Sequence, residues 1–143
     1  MKYLTKNYEE TQKLGEEFSK HLKGGDVILL HGDLGGGKTT FVQGLAKGLG
    51  VKRRIISPTF IIMRSHKIDK GEVKDFYHLD LYRIKSKDDV DGLGLDEIIG
   101  NKESIVAIEW PERLYDVRDD AIRIYFENEG ENERSIEING RDF

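Results

Sequence analysis

The chain has 143 residues, enough for one ordinary domain with a sizeable core but hardly for two. Charged residues make up 35% of it and the formal net charge is −4, which argues against free nucleic acid or an anionic membrane as the main partner, a local basic patch aside. There is no cysteine to form a disulfide, no apolar segment approaches the ~20 residues of a membrane span, and Met1-Lys-Tyr-Leu-Thr-Lys-Asn7 lacks the apolar stretch of a secretion signal. These features lead us to expect a cytoplasmic protein, with a single domain over 1–143.

Tyr8 to Leu22 predicts an amphipathic helix, with Asn7 as N-cap and Leu14, Phe18 and Leu22 at i, i+4 and i+8. Lys23-Gly-Gly-Asp26 ends it. Val27 to His31 has the short apolar run of a buried strand, and Lys38 to Leu49 has helical spacing closed by Gly50. A connector follows, containing Lys52-Arg-Arg54 and Ser57-Pro58, whose proline pushes Ser57 toward extended geometry. Phe60 to His66 and Val73 to Tyr82 are β-like around a turn at Asp69-Lys-Gly71, which predicts a hairpin. Ser86 to Ile99 reads as short helical turns broken by Gly92 and Gly94. Ser104 to Ile108 is continuously apolar, as expected of a strand buried on both faces. Ala121 to Phe126 and Ser135 to Ile138 alternate around a turn at Asn128 to Asn132, a second hairpin. Together these elements predict a three-layer α/β domain, its mixed sheet having a parallel core and antiparallel additions.

The stretch Gly32-Asp33-Leu34-Gly35-Gly36-Gly37-Lys38-Thr39 fits G-x-x-x-x-G-K-[ST], the phosphate-binding loop of nucleotide triphosphatases, and it stands where that loop must stand, between a strand and a helix. Its glycines let the backbone take positive φ and leave no Cβ in the way of a phosphate. Successive N–H groups then form an anion nest at the positive end of the following helix. Lys38 would reach the β- and γ-phosphates, and the Thr39 hydroxyl would ligate Mg²⁺. A plain glycine turn accounts for the glycines but not for Lys-Thr at the helix start.

Hydrolysis also needs an acidic residue at a strand end. Glu109 follows the apolar strand within Ile108-Glu-Trp-Pro-Glu112, and Asp80 lies near the end of the second hairpin strand in His78-Leu-Asp-Leu-Tyr-Arg83. In parallel α/β sheets ligands gather beyond the carboxyl ends of strands, so both acids can face one phosphate. Against this, Glu109 could simply end a strand at the surface, and alternation alone would make Asp80 a solvent-facing carboxylate. Ser57-Pro-Thr-Phe60 is placed either to sense a γ-phosphate or to make an ordinary turn. Trp110, the only tryptophan, is either half-buried packing or an aromatic surface for a substrate or partner. Asp88-Asp-Val-Asp-Gly92 fails as a calcium loop because Lys87 and Ile98 fall where carboxylates are required, and the four histidines lack zinc spacing. Lys52-Arg-Arg54 reads as a solvated loop, or as three cations able to meet an RNA phosphate.

The order of these pieces resembles the bacterial TsaE (YjeE) family. The resemblance runs through Glu10-Thr11 with Leu14-Gly15, the glycine loop through Thr40, Ser57-Pro-Thr-Phe60, His78 to Arg83, Leu93-Gly-Leu95 and Ile108-Glu-Trp-Pro111, and weakens beyond Pro111. It implies a P-loop ATPase, slow on its own, that uses ATP and Mg²⁺ and supports formation of threonylcarbamoyl-adenosine at position 37 of tRNAs reading codons that begin with A. It also implies association with the TsaD–TsaB complex, which transfers the threonylcarbamoyl group; a weak or indirect contact with tRNA is left open. By the same resemblance Asp33 through Thr40 hold the phosphates, Thr39 and Glu109 hold Mg²⁺, and Asp80 orients or deprotonates the attacking water. Tyr8, Thr11 and Arg134 would then lie near the adenine. One departure is Gly36, where the family usually has alanine; it loosens the empty loop without removing a donor. A nucleotide-dependent adaptor without essential hydrolysis remains an alternative. So does a small nucleotide kinase, disfavoured because no Arg-rich insert follows beyond Arg53-Arg54.

Overall fold

The computed structural model describes residues 1–33, 37–52, 62–114 and 120–141. Its strands are β1 (Lys2–Thr5), β2 (Val27–His31), β3 (Met63–Lys70), β4 (Val73–Asp80), β5 (Ser104–Glu109), β6 (Ile122–Asn128) and β7 (Arg134–Asn139). The helices are α1 (Tyr8–Ser19), α2 (Lys38–Gly48), α3 (Lys87–Asp91) and α4 (Leu95–Ile98), with a 3₁₀ turn at Pro111–Arg113. All seven strands join one sheet in the order β1-β7-β6-β2-β5-β4-β3. The four central strands β6, β2, β5 and β4 are mutually parallel, while β1, β7 and β3 add antiparallel to the outside. This is the mixed P-loop-NTPase-like sheet that the sequence pattern implies.

Alternation along the strands supplies two cores. Ile28, Leu30, Phe76, Ile105, Ala107, Ile122, Ile124 and Ile136 face α1 and α2, meeting Phe18, Phe41 and Leu45. Val27, Leu29, Leu79, Val106 and Ile108 face the other way, toward Leu95 of α4 and the chain around it. The two long helices pack closely because glycines face the contact: a Cβ at Gly44 would run into the Gln12 carbonyl, and one at Gly15 into that of Phe41.

Several boundaries differ from the expectation. α1 ends at Ser19 rather than Leu22, because His21 and Leu22 bond to carbonyls three residues back and the last turn tightens. The Lys70 ammonium donates to the carbonyls of Ser19 and Leu22, at 2.6 and 3.1 Å. β3 continues through Asp69 to Lys70, so the hairpin turns only at Gly71, where φ is 61°. The C-terminal pair runs further into polar sequence than its apolar pattern indicates, since an antiparallel ladder needs no burial at its ends; Asn128 pairs with Arg134, and Arg123 with Asn139. β1 is an element the sequence pattern does not announce. The start of the second expected strand segment, Phe60-Ile61, and the Ser57-Pro-Thr-Phe60 and Arg53-Arg54 segments lie outside the described residues.

Candidate functional site

The site is built where β2, β5 and β4 end side by side. β2 runs into the glycine loop, and α2 opens at Lys38 with Gly37 before it in the left-handed conformation, φ 94°. That geometry turns the chain sharply enough to aim the first turn of α2 back over the strand ends. Gly32 also cannot be replaced freely, since a Cβ there would come within 2.8 Å of the Phe126 carbonyl oxygen. Leu34, Gly35 and Gly36 lie outside the described residues.

The parallel register brings the two acids together. Asp80 pairs with Glu109 across β4 and β5, and Leu30 of β2 pairs with Glu109 on its other side. Alternation puts Glu109 on the same side as Ile105 and Ala107, and Asp80 on the same side as Phe76, which is the α2 side of the sheet. Glu109 is therefore not a surface carboxylate but a buried one. Its Oε1 accepts the Thr39 hydroxyl at 3.4 Å, and its Oε2 lies 2.6 Å from Nε2 of the fully buried His78. Asp80 is half-buried; its Oδ1 accepts the Tyr82 amide at 3.0 Å, and burial raises its pKa from the ordinary carboxylate value.

Lys38 is buried, and burial lowers its pKa against the raising influence of Glu109, Glu112, Asp80 and Asp33. Its ammonium donates to the Gly32 carbonyl at 2.5 Å and stands 4.1 Å from the centre of the Trp110 ring. Trp110 itself is the only non-glycine among the described residues with a positive φ, 60°, between Glu109 and Pro111. A bulky residue held in that region signals local strain, of the kind that clusters at functional sites. Trp110 also packs against Tyr82, ring centres 5.0 Å apart, so it is an aromatic wall of the site and not merely core.

A hard oxygen-ligated cation fits the Thr39–Glu109 pair, which offers one hydroxyl and one carboxylate oxygen. Among the described residues no three His, Asp or Glu side chains converge on a point. A Mg²⁺ would thus be held by Thr39 and Glu109 with waters and phosphate completing its shell, as this ion prefers.

Of the other expected residues, Arg134 stands against the end of the loop. A Cβ at Gly37 would touch the Arg134 side chain, 3.5 Å from its Cγ, and Arg134 pairs across the sheet with Thr5. Thr5 in turn shares a 2.7 Å hydrogen bond with the Thr11 hydroxyl. Thr11 and Arg134 are buried, the latter donating to the Glu133 carbonyl at 2.9 Å, whereas Tyr8 is 61% exposed at the start of α1. Asp33 is exposed and Thr40 half-buried.

Two groups escaped the sequence reading. His78 is one; its i, i+2 relation to Asp80 was the available signal. The other is a chain of contacts beside the loop entrance, in which His31 meets Glu112 at 2.8 Å and Arg123 at 3.1 Å and stacks on Tyr125. Burial lowers the His31 pKa even though Glu112 opposes it.

A parallel strand feeding a glycine turn, a helix opening with Lys-Thr and acids at the adjoining strand ends define a P-loop-NTPase-like domain. Residues 5–136 match the model of the family described as threonylcarbamoyl adenosine biosynthesis protein TsaE. The tRNA threonylcarbamoyladenosine biosynthesis protein TsaE of Bacillus subtilis (strain 168) is 36% identical over 137 residues, 95% of this chain and 83% of that protein. The protein of the same name from Aquifex aeolicus (strain VF5) is 45% identical over 112 residues, 77% of this chain and 76% of that protein. The crystal structure of Bacillus subtilis YdiB superimposes with a TM-score of 0.77 at 33% identity, covering 95% of this chain and 82% of that one. The chain belongs to the TsaE family. No helix among the described residues is long and apolar enough to cross a membrane.

Proposed function

We propose that this protein is a cytoplasmic, Mg²⁺-dependent ATPase that supports threonylcarbamoyl-adenosine formation at position 37 of tRNA, acting with a TsaD–TsaB complex. The observation that carries the reading is the convergence of Lys38, Thr39, Glu109 and Asp80 at the carboxyl ends of three adjacent parallel strands. Bound Mg²⁺ would offset the charge of the phosphate oxygens. Asp80 is suited to act on water. It is half-buried, its pKa is raised toward that of a useful base, and it stands beside Glu109 with one oxygen fixed by the Tyr82 amide. Arg134 stands beside Gly37, and Thr11 is joined to its strand partner Thr5; with Tyr8 at the start of α1, we assign these three to the adenine end on the family resemblance. Membership of a family named for threonylcarbamoyladenosine biosynthesis supports the tRNA role.

The test is release of inorganic phosphate from Mg-ATP by the purified protein, alone and with TsaD–TsaB. The reading predicts slow release alone and a changed rate with the complex. No release under either condition removes the ATPase, leaving an adaptor, and transfer of labelled phosphate to an acceptor other than water would point instead to a kinase.

A further inference from the structure

His78 has no part in the function proposed above, yet it is the most completely enclosed polar side chain at the site. It is 0% exposed and lies 2.6 Å from a carboxylate that is itself 4% exposed. An isolated buried imidazole is ordinarily a packing residue. Three observations give this one a direction.

The first is its register. His78 stands opposite Ala107, and Asp80 opposite Glu109. The Ala107 methyl leaves most of the sheet face open, so the imidazole can lean along β5 to the next side chain on that face, Glu109. The second is its hydrogen-bond capacity. Nδ1 of His78 is buried without a partner. An ionised carboxylate only accepts, so the 2.6 Å contact requires the proton on Nε2. That assignment leaves Nδ1 as a bare lone pair instead of an orphaned N–H, the less costly of the two buried states. The third is what the bond leaves open. With Oε2 of Glu109 bonded to His78, Oε1 is the oxygen that faces the Thr39 hydroxyl. The terminal torsion of a glutamate is broad, so without such an anchor the plane of the carboxylate, and with it the aim of the oxygen toward Thr39, would not be fixed.

We propose that His78 is a positioning residue: its Nε2–H holds one oxygen of Glu109 so that the other faces Thr39, and this sets the affinity of the nucleotide complex for a divalent cation. The proposal rests on the ATPase reading, through the pairing of Thr39 and Glu109 at the cation. Partners that orient a metal ligand typically change metal affinity by about 10- to 100-fold when removed.

The experiment is calorimetric titration of the full-length protein with ADP in EDTA, then of the ADP complex with Mg²⁺, for wild type, His78→Gln and His78→Leu. Glutamine carries an amide N–H near the position of Nε2; leucine fills the space without a donor. We expect His78→Leu to bind ADP in EDTA as wild type does but to bind Mg²⁺ about tenfold more weakly, with His78→Gln recovering most of the difference. Unchanged Mg²⁺ affinity in a folded His78→Leu protein overturns the proposal, as does an equal loss in both titrations. Wild-type protein that binds no ADP overturns both this proposal and the ATPase reading, whereas wild-type binding with an indifferent His78→Leu overturns this one alone. Should His78→Leu fail to fold, nitrogen spectra of ¹⁵N-histidine-labelled wild type decide the matter. They must show the Nε2–H tautomer for His78 and a shift of its signals when Mg²⁺ joins the ADP complex. An Nδ1–H tautomer, or indifference to Mg²⁺, contradicts it.

Discussion

Buried charges occur at both ends of the sheet, and they are treated in opposite ways. At the amino ends of the parallel strands, Asp26 is gripped by both terminal nitrogens of Arg141 and accepts the Lys23 amide at 2.8 Å. Arg141 also donates to the His21 carbonyl at 3.0 Å. Lys70, whose pKa burial lowers, is compensated there by the carbonyls of Ser19 and Leu22 and by the field of Asp26. At the carboxyl ends, Lys38 is more deeply buried and meets a carbonyl and an aromatic ring; Glu109, Glu112, Asp80 and Asp33 lend it their field, but among the described residues none of them is ion-paired with it. Asp80 beside it is pushed toward its neutral form. One end neutralises its charges internally and is stabilised by doing so. The other keeps Lys38 and Asp80 in a poorly solvated place with, among the described residues, no opposite charge bonded to either, which opposes folding and suits groups reserved for a ligand.

The contrast can be broken by exchanging the outcomes. Asp26→Ala removes the carboxylate that holds the partly exposed Arg141 and the Lys23 amide, and we expect a loss of about 2 kcal/mol in urea unfolding, the usual scale for a hydrogen bond to a charged group. ADP affinity should stay at the wild-type level. A loss of affinity without a loss of stability would reverse the assignment of that end. Asp80→Asn should do the opposite, lowering phosphate release by about 100-fold while melting at or above the wild-type temperature, since the raised pKa marks an ionised carboxylate that the fold disfavours. A clearly lower melting temperature would make Asp80 structural.

The smallest effect concerns His31, which faces Glu112, Arg123 and Lys38 and has its pKa lowered chiefly by burial. A folded-state pKa below the unfolded value means that the unfolded chain takes up the proton first. Stability is therefore full above the ordinary imidazole value and declines as the pH falls through the lowered one. Urea unfolding at about pH 8 and about pH 5.5 should show a smaller acid loss for His31→Gln than for wild type. An equal loss in both would remove His31 from the account.

How much of this was legible in the sequence depended on whether a feature is local. The Lys38-Thr39 helix start and the strands β2 and β5 are written in contiguous residues, and both acids were placed correctly at strand ends. β1 was missed because four residues at an edge carry no pattern of their own; their partner β7 lies at the other end of the chain. The burial of Glu109 was open until the β4–β5 register was known, since the same residue with β5 at an edge would meet water. His78 suffered more, because histidine in an alternating strand looks solvent-facing and its role depends on Ala107 opposite it. The tryptophan was noticed, but its left-handed backbone and its stack with the lysine are products of packing.

The central claim is that Lys38 is charged and buried for a phosphate, not for the fold. Thermal melting of Lys38→Met, with and without saturating Mg-ADP, tests it most directly, because methionine keeps the unbranched apolar stem and removes the ammonium with its bond to the Gly32 carbonyl. The account predicts a ligand-free melting temperature at or above that of wild type and no rise on adding Mg-ADP, where wild type rises by several degrees. A variant that melts well below wild type yet is still stabilised by Mg-ADP would contradict it.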